Sequence, residues 1–134
     1  MVLKIGVIGC SDVSKRQFFP AIDSSQLADV ECIGSRSLKK AEEWAKKYDC
    51  DKFGSYDDVI NSDVDAVYIS LPIALHHEWT LKAAKAGKHV LCEKPMTRTI
   101  SESEKMLQVA KETGMTLKCG FNHRHHPAVW KAKK

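Results

Sequence analysis

The sequence predicts an α/β protein built on an open, doubly wound sheet of parallel strands. Short runs of β-branched and apolar residues recur along the chain, and longer amphipathic stretches with helical periodicity lie between them. Few glycine- or proline-rich gaps interrupt this alternation. Strands that are separated by helices pair in parallel through right-handed crossovers, so we expect helices on both faces of the sheet.

The apolar runs define the strands. Their near-continuous apolar character is typical of strands that are buried on both faces of a parallel sheet. The shortest run lies between two helical stretches. In chain order, the predicted strands are 3–9, 30–35, 52–54, 66–71, 89–93 and 116–121.

Amphipathic patterns define the helices between them. Over 38–48, apolar residues fall on one face, while lysine and glutamate residues occupy the other. The stretch 75–87 ends at Gly87, which is a favourable helix stop. Shorter helices are expected over 56–61 and from about Pro127 onward.

The last long helix is expected over 101–113. Ser101 is the predicted N-cap, because Glu104 follows at the spacing of a capping box. Gly114 is the predicted end of this helix.

The composition is that of one ordinary globular domain. Of 134 residues, 28% are charged and 43% are hydrophobic, and the net charge of +4 comes from 21 basic and 17 acidic residues. The lysines are scattered rather than gathered with aromatic residues on one face, so a nucleic acid is not an expected partner. No apolar segment reaches membrane-spanning length, and MVLKIGVIG is too short and glycine-broken for a signal peptide. Five cysteines without CxxC spacing favour a reducing cytoplasm and no disulfide framework.

The turn after the first strand, GCSDVS at 9–14, is the first candidate binding element. In a dinucleotide fingerprint, G-x-G-x-x-G, glycines permit a tight turn, close approach to the pyrophosphate and close packing of helix on strand. Gly9 keeps the first position, whereas Ser11 and Ser14 occupy the other two. Serine still lets the helix approach, its hydroxyl can add a phosphate contact, and the helix N-terminus attracts an anion. A plain tight turn between strand and helix is the alternative interpretation.

The end of the second strand bears on the choice of cofactor. Enzymes that prefer NAD usually place an acid here to bind the ribose 2′-hydroxyl, whereas this chain has Ser35 and Arg36. A hydroxyl and a guanidinium fork match a 2′-phosphate, so NADP is favoured over NAD if the fold binds a dinucleotide. The alternative is that Arg36 only caps a solvated turn.

Two later segments are expected at the same edge of the sheet, because ligands of open α/β sheets bind beyond the carboxyl ends of the strands. After the fourth strand, Pro72 turns the chain, and His76 at the next helix entrance either contacts cofactor or substrate or is structural. After the fifth strand come Glu93, Lys94 and Pro95. A lysine beside a carboxylate and near a bound nicotinamide can hold a substrate hydroxyl or pass a proton.

A histidine cluster near the end of the chain raises the question of a metal. His123, His125 and His126 surround Arg124, but no second cluster of metal ligands accompanies them, and the guanidinium disfavours a cation. The sequence therefore predicts no metal site.

Together these segments resemble the N-terminal half of the Gfo/Idh/MocA family, named for glucose-fructose oxidoreductase, inositol dehydrogenase and MocA. IGVIGC, GSRS, DAVYISLP, HHEWTLKAAKAGKHVLCEKPMT and GFNHRHHP follow in the family's order and span nearly the whole chain. The AGKHVLCEKP segment is highly specific to the family. The resemblance implies a Rossmann dinucleotide-binding fold and hydride transfer between a nicotinamide cofactor and a carbinol carbon of a sugar, polyol or nucleotide-linked sugar.

The resemblance also implies roles for individual residues. Lys94 is then the catalytic residue that bridges the nicotinamide ribose and the substrate hydroxyl, and Glu93 helps to position the ribose. The turn at Gly9 covers the pyrophosphate, and the Leu-Pro loop with His76 lines the cofactor. The implied cofactor-binding residues are Gly9, Cys10, Ser11, Asp12, Val13, Ser35, Arg36, Leu71, Pro72, His76, Glu93, Lys94 and Pro95.

The chain departs from the family pattern in sequence and in length. Besides the two serines of the turn, Ile73 stands where the family often has asparagine. The form GCSDVSKR is most similar to members that reduce keto groups of nucleotide-linked deoxysugars. The resemblance implies a second domain, an α+β unit that supplies other catalytic residues, the substrate pocket and the oligomer interface, and we expect it to lie outside these 134 residues. Residues 1–121 are expected to form the NAD(P)-binding domain, and residues 122–134 the start of the helix that leads into the missing domain.

The leading hypothesis is an NADP-preferring domain, with NAD as the other candidate cofactor, from a cytoplasmic, homo-oligomeric oxidoreductase with a sugar-like substrate. This chain alone is expected to bind the dinucleotide but to turn over poorly, because most of the substrate site is missing. The alternative is a non-catalytic module in which the dinucleotide sets a conformation that a partner senses. Lys94 argues against that alternative, since a sensor needs no lysine for proton transfer.

Overall fold

The computed structural model describes all 134 residues and contains one six-stranded parallel sheet in the order β3-β2-β1-β4-β5-β6. The order reverses between β1 and β4, which is the topological switch point of a doubly wound sheet. The predicted fold is therefore confirmed. The strands are β1 (Leu3–Ile8), β2 (Ala28–Gly34), β3 (Lys52–Gly54), β4 (Ala66–Ile69), β5 (His89–Cys92) and β6 (Leu117–Cys119).

Helices connect all the strands and cover both faces of the sheet. Between β1 and β2, a π-helical segment over Ser14–Phe18 precedes a short α-helix. Short 3₁₀ segments, Ile73–Leu75 and Asn122–His125, precede two of the other helices. The α-helices are α1 (Phe19–Asp23), α2 (Leu38–Lys47), α3 (Tyr56–Asn61), α4 (His76–Lys85), α5 (Ile100–Thr113) and α6 (Pro127–Ala132).

The last residues of all six strands lie in one row across the sheet. Ile8 at the end of β1 pairs with the ends of β2 and β4, and the same register continues outward to β3, β5 and β6. The residues that follow the strands must therefore lie along one edge, which we call the carboxyl rim. In sheet order these residues are Ser55, Ser35, Gly9, Ser70, Glu93 and Gly120.

Two apolar clusters hold the helices on the sheet. On one face, Val59 of α3 and Trp79 of α4 pack against β-strand residues such as Ile69. On the other face, Phe19 of α1 and Ala45 of α2 do the same. Burial on both faces explains the near-continuous apolar character of the strands. No helix of the molecule has the length and apolarity that crossing a bilayer requires.

The ends of the helices agree only in part with the sequence prediction. Gly87 and Gly114, the predicted stops, adopt positive φ values of 77° and 71° after α4 and α5. The predicted N-cap at Ser101 was wrong. Thr99 is extended (φ −135°, ψ 156°), and its hydroxyl accepts a hydrogen bond of 3.2 Å from the N–H of Glu102, so the helix begins before Ser101.

Candidate functional site

A cavity of about 450 Å³ opens at the carboxyl rim, over the ends of β2, β1 and β4. Its walls come from the segments that follow these strands, together with the starts of α2 and α3. The lining residues are Gly9, Cys10, Ser11, Ser35, Arg36, Ser37, Lys40, Tyr56, Ser70, Leu71, Pro72 and Leu75. The structure thus brings together seven of the residues predicted to bind a cofactor.

Gly9 forms the floor of the cavity, where only glycine fits. Its φ is +106°, and a Cβ atom at this position would lie 2.9 Å from the Cδ2 atom of Leu71 and 3.1 Å from the carbonyl oxygen of Ser70. The chain therefore turns tightly here, and a ligand can approach the backbone directly.

A buried chain of hydroxyl groups replaces the two missing glycines of the turn. The hydroxyl oxygens of Ser11 and Ser14 are 2.8 Å apart, those of Ser14 and Ser70 are 2.7 Å apart, and the Ser70 hydroxyl donates to the carbonyl of Gly9 at 3.0 Å. Each hydroxyl has one proton. If Ser70 gives its proton to Gly9, Ser14 donates to Ser70 and Ser11 to Ser14; the Ser14 hydroxyl also lies 3.5 Å from the Gly9 carbonyl oxygen. In that arrangement the Ser11 proton is directed inward, at the Ser14 hydroxyl, and the phosphate contact predicted for Ser11 from the sequence stays a prediction.

The wall at the end of β2 is positively charged and holds no carboxylate. The Arg36 guanidinium and the Lys40 ammonium are exposed, and neither forms an ion pair with a carboxylate; Arg36 lies beside the Tyr56 hydroxyl. Ser37, rather than Arg36, caps α2, because its hydroxyl accepts from the N–H of Lys40 at 3.3 Å. The N-cap of α2 is therefore Ser37, and two cations without a carboxylate partner, Arg36 and Lys40, face the cavity.

Lys40 and Tyr56 complete this wall and were not identified from the sequence. Lys40 was assigned to the solvated face of its helix, but it lies in the first turn, immediately beyond the rim. Tyr56 follows the end of β3 and opens α3. Burial raises the pKa of its hydroxyl, and the nearby Arg36 guanidinium opposes that rise. Both residues follow the end of a strand within a few positions, and this proximity in the sequence could have identified them.

Asp12, Val13 and His76 lie outside the cavity lining. Asp12 forms an exposed ion pair of 2.9 Å with Arg16. The His76 ring is 2% exposed, with Nε2 2.7 Å from the carbonyl oxygen of Leu71 and Nδ1 3.0 Å from that of Pro95. Both ring nitrogens thus face backbone carbonyl groups rather than the cavity, which favours the structural interpretation of His76.

Glu93 and Lys94 follow β5 on the same rim, beside Ser70, but they do not form an ion pair. The Glu93 carboxylate instead accepts hydrogen bonds from the Tyr68 hydroxyl at 2.8 Å and from the backbone N–H of Lys94 at 3.2 Å. Burial, followed by the hydrogen bond to Glu93, raises the pKa of Tyr68, so the phenol stays protonated as the donor. The Lys94 side chain is exposed, and its ammonium has no partner.

A second cavity of about 470 Å³ lies toward the opposite, amino end of β2 and β3. Five carboxylates line it, from Asp23, Asp29, Glu31, Asp49 and Asp51. These charges would repel the phosphates of a nucleotide, so the smaller cavity at the carboxyl rim is the better site for an anion. The structure contains no group of three or more metal-binding side chains that could hold a metal ion.

Comparison with known proteins gives concordant matches. Residues 3–121 match an oxidoreductase family, Gfo/Idh/MocA, described as an NAD-binding Rossmann fold. A dTDP-3,4-didehydro-2,6-dideoxy-alpha-D-glucose 3-reductase from Streptomyces violaceoruber is 42% identical over 94% of this chain. D-xylose 1-dehydrogenase (NADP(+)) 2 from Haloferax volcanii is 33% identical over 97% of it. The chain spans 37% and 40% of these relatives, or about two fifths of their length.

Solved structures agree with this assignment. A 3-ketoreductase from Actinomadura kijaniata, in complex with NADP and TDP-benzene, superposes with a TM-score of 0.94 at 37% identity, covering 98% of this chain and 41% of that protein. The scyllo-inositol dehydrogenase of Lactobacillus casei in its apo form has a TM-score of 0.90 at 27% identity, covering 98% of this chain and 40% of that protein.

Proposed function

The chain belongs to the Gfo/Idh/MocA family of oxidoreductases with an NAD-binding Rossmann fold, and we propose that it forms the NADP-binding part of an enzyme acting on a sugar-like substrate. The observation that carries this proposal is the wall of the rim cavity, where two cations without a carboxylate partner, Arg36 and Lys40, lie among hydroxyl groups and no acidic residue is present. An acid would repel a 2′-phosphate, whereas a guanidinium, an ammonium and hydroxyl groups match one.

The rest of the cavity suits the remainder of a dinucleotide. Gly9 leaves the backbone open to a pyrophosphate, and any larger residue would strike Leu71 and Ser70. The apolar side chains of Leu71, Pro72 and Leu75 offer a surface for a nucleoside. The A. kijaniata ketoreductase was solved with NADP, and the H. volcanii relative carries NADP(+) in its name, which supports the same cofactor here.

Lys94 is the proposed catalytic residue. The nicotinamide ring supplies or accepts the hydride when the cofactor is bound. Lys94 Nζ has no partner within the protein, so it is free to donate a hydrogen bond to a substrate oxygen. In the reductive direction, the same group can pass a proton to that oxygen as negative charge develops on it. Glu93 is proposed to position the ribose, and its carboxylate is held in place by Tyr68.

The substrate class and the setting belong to the same proposal. The relatives named above include a reductase of a dTDP-linked deoxysugar and a xylose dehydrogenase, which supports a sugar or nucleotide-linked sugar. We place the NAD(P)-binding domain at residues 1–121, where the family match also ends, and assign 122–134 to the connection with a substrate domain. A cytoplasmic homo-oligomer is proposed from the family resemblance and the five free thiols.

Titration of the chain with NADPH and with NADH tests the proposal. A single charge-assisted hydrogen bond contributes about 1.5–3 kcal/mol, so NADPH should bind at least about tenfold more tightly. Isothermal calorimetry measures both affinities under the same buffer and salt. Failure to bind either dinucleotide, or equal affinity for the two, would overturn the proposal.

A further inference from the structure

We propose that Tyr68 and His76 are positioning residues that clamp the backbone on both sides of Lys94 and connect it to the wall of the rim cavity. We call residues 93–96 the Lys94 loop. The proposal rests on the proposed function, in which Lys94 acts on the substrate. It adds that Lys94 is placed by two side chains of the β4–α4 segment, neither of which lines the cavity.

The first clamp holds the start of the loop. Tyr68 on β4 is 2% exposed, and its ring stacks on that of Phe18 with centroids 4.0 Å apart and planes 5° apart. The phenol therefore has little freedom, and its hydroxyl donates to Glu93 Oε1 at 2.8 Å. The other oxygen, Oε2, accepts from the N–H of Lys94 at 3.2 Å. Tyr68 thus fixes a carboxylate that in turn fixes the backbone of Lys94.

A third residue closes this clamp from the β6 side. A Cβ atom at Gly120 would lie 3.2 Å from both carboxylate oxygens of Glu93. The carboxylate therefore lies in a slot with Tyr68 on one side and the bare backbone of Gly120 on the other.

The second clamp holds the end of the loop. The Nδ1 atom of His76 lies 3.0 Å from the carbonyl oxygen of Pro95 and 3.2 Å from that of Met96, and Nε2 lies 2.7 Å from that of Leu71. The imidazole is fully enclosed at the start of α4. It therefore lies between the Lys94 loop and Leu71, which lines the rim cavity; an imidazole with one N–H donates to one of these carbonyl groups and packs against the other.

Lys94 itself has no other restraint. Its side chain is exposed and its ammonium contacts no partner, so the location of the ammonium depends on the backbone on either side. The two buried clamps fix the backbone from which the Lys94 side chain extends, and so they set the region that the ammonium can reach. Because Leu71 is shared between the cavity wall and the second clamp, occupancy of the cavity and the position of Lys94 should be coupled.

The first experiment uses the chain without any ligand. ¹⁵N relaxation measures the order of the Lys94 and Met96 amides in the unmodified chain and in Tyr68→Phe and His76→Gln. Tyr68→Phe keeps the ring and its stacking, so it is expected to fold even if His76→Gln does not. The matched controls are Tyr48→Phe and His77→Gln. The Tyr48 hydroxyl makes no hydrogen bond, and the buried Nε2 of His77 has no partner.

We expect order parameters of about 0.85 for both amides in the unmodified chain and the controls, and values approaching about 0.6 in Tyr68→Phe and His76→Gln. The melting temperature of Tyr68→Phe should fall below that of Tyr48→Phe, because a buried hydrogen bond to a carboxylate is lost. Amides far from the Lys94 loop should keep order parameters of about 0.85, which separates a local from a global effect. Order parameters that are unchanged in Tyr68→Phe and His76→Gln would overturn the clamp, whatever the chain binds.

The second experiment adds adenosine 2′,5′-bisphosphate, which carries the 2′-phosphate but has no nicotinamide to reach Lys94. In the unmodified chain, this probe should shift the Lys94 amide resonance. In His76→Gln, it should bind with an affinity within about twofold while the shift falls to less than half. Binding without any Lys94 shift in the unmodified chain would overturn the coupling and leave the proposed function intact. Absence of binding would overturn the proposed function, while the relaxation data would still decide whether the clamp exists.

Discussion

Ser14 and Ser70 share a hydrogen bond of 2.7 Å between their hydroxyl groups, although 56 positions separate them in the sequence. Ser14 is fully buried and Ser70 is 6% exposed. The bond ties the turn after β1 to the end of β4, the two strands between which the sheet changes direction. In the usual fingerprint, glycines allow the helix to pack closely on the strand. Here serine side chains occupy those positions, and their hydroxyl groups form hydrogen bonds with one another.

Removal of the hydrogen bond between Ser14 and Ser70 should lower the free energy of unfolding, although neither hydroxyl is proposed to contact a phosphate. Ser70→Ala removes the shorter hydroxyl contact to the Gly9 carbonyl and leaves only the long one, 3.5 Å from Ser14, and poor satisfaction of a buried group costs about 1–3 kcal/mol. Urea unfolding measures the free energy of unfolding of Ser14→Ala, Ser70→Ala and the double variant. The loss in the double variant should be smaller than the sum of the two single losses, because the residues form one network. Ser11→Ala should change NADPH affinity less than about threefold. A tenfold loss would contradict the inward orientation of its hydroxyl.

The charge at the end of β2 should decide between the two dinucleotides. Arg36→Asp should abolish or reverse the preference for NADPH, because a carboxylate repels a 2′-phosphate and can accept a hydrogen bond from a 2′-hydroxyl. Lys40→Gln should weaken NADPH binding and leave NADH binding unchanged. Lys39→Gln is the matched control, since Lys39 lies on the same helix but outside the cavity lining. Equal losses of NADPH affinity in Lys40→Gln and Lys39→Gln would contradict a specific role of Lys40 and indicate an effect of net charge alone.

The row of strand ends could be predicted from the sequence, whereas the partners of its side chains could not. Every apolar run stops at glycine or a polar residue, and parallel pairing places those stops on one edge. Gly9, Ser35 and Glu93 were therefore located correctly. Which hydroxyl donates to which oxygen depends on three-dimensional contacts, such as the pairing of Glu93 with Tyr68 rather than with the adjacent Lys94.

Position along a helix was a further source of error. Lys40 looks like one of many solvated lysines, because periodicity reports only the face on which a residue lies and not which end of the helix meets the rim. Ser101 and Thr99 are both reasonable N-caps in the sequence, and Thr99 is the N-cap because its backbone is extended and the helix begins at the next residue. His76 was left between two interpretations, since its burial could not be read from the chain.

Two glycines of the rim should respond differently to alanine. A Cβ atom at Gly34 would lie 2.6 Å from Val59 Cγ2 and 3.0 Å from the carbonyl oxygen of Ser55, so Gly34→Ala must move packed atoms. We expect the free energy of unfolding, measured with urea, to fall by about 1–3 kcal/mol.

In Gly120→Ala, the new Cβ atom meets only the Glu93 carboxylate, at 3.2 Å. The substitution should lower the free energy of unfolding by less than about 1 kcal/mol while displacing that carboxylate. NMR shifts of the Lys94 amide should move in Gly120→Ala. A large loss of stability without such a shift would show that the slot is only a packing feature.

The buried thiols should make the protein lose stability in alkali. Burial raises the pKa of Cys32 to about 11 and that of Cys92 to about 12, from an ordinary value of 9.0. Above pH 9 the unfolded chain therefore holds fewer protons than the folded one, and the free energy of unfolding falls as pH rises. The stabilisation is complete below the unfolded pKa, and it declines by up to about 1.4 kcal/mol per pH unit for each thiol until the folded pKa is reached. Urea unfolding at pH 8, 9 and 10 measures this slope. Cys92→Ala should make the slope shallower, because one of the titrating groups is removed, and equal stability of the unmodified chain at pH 8 and pH 10 would contradict the prediction.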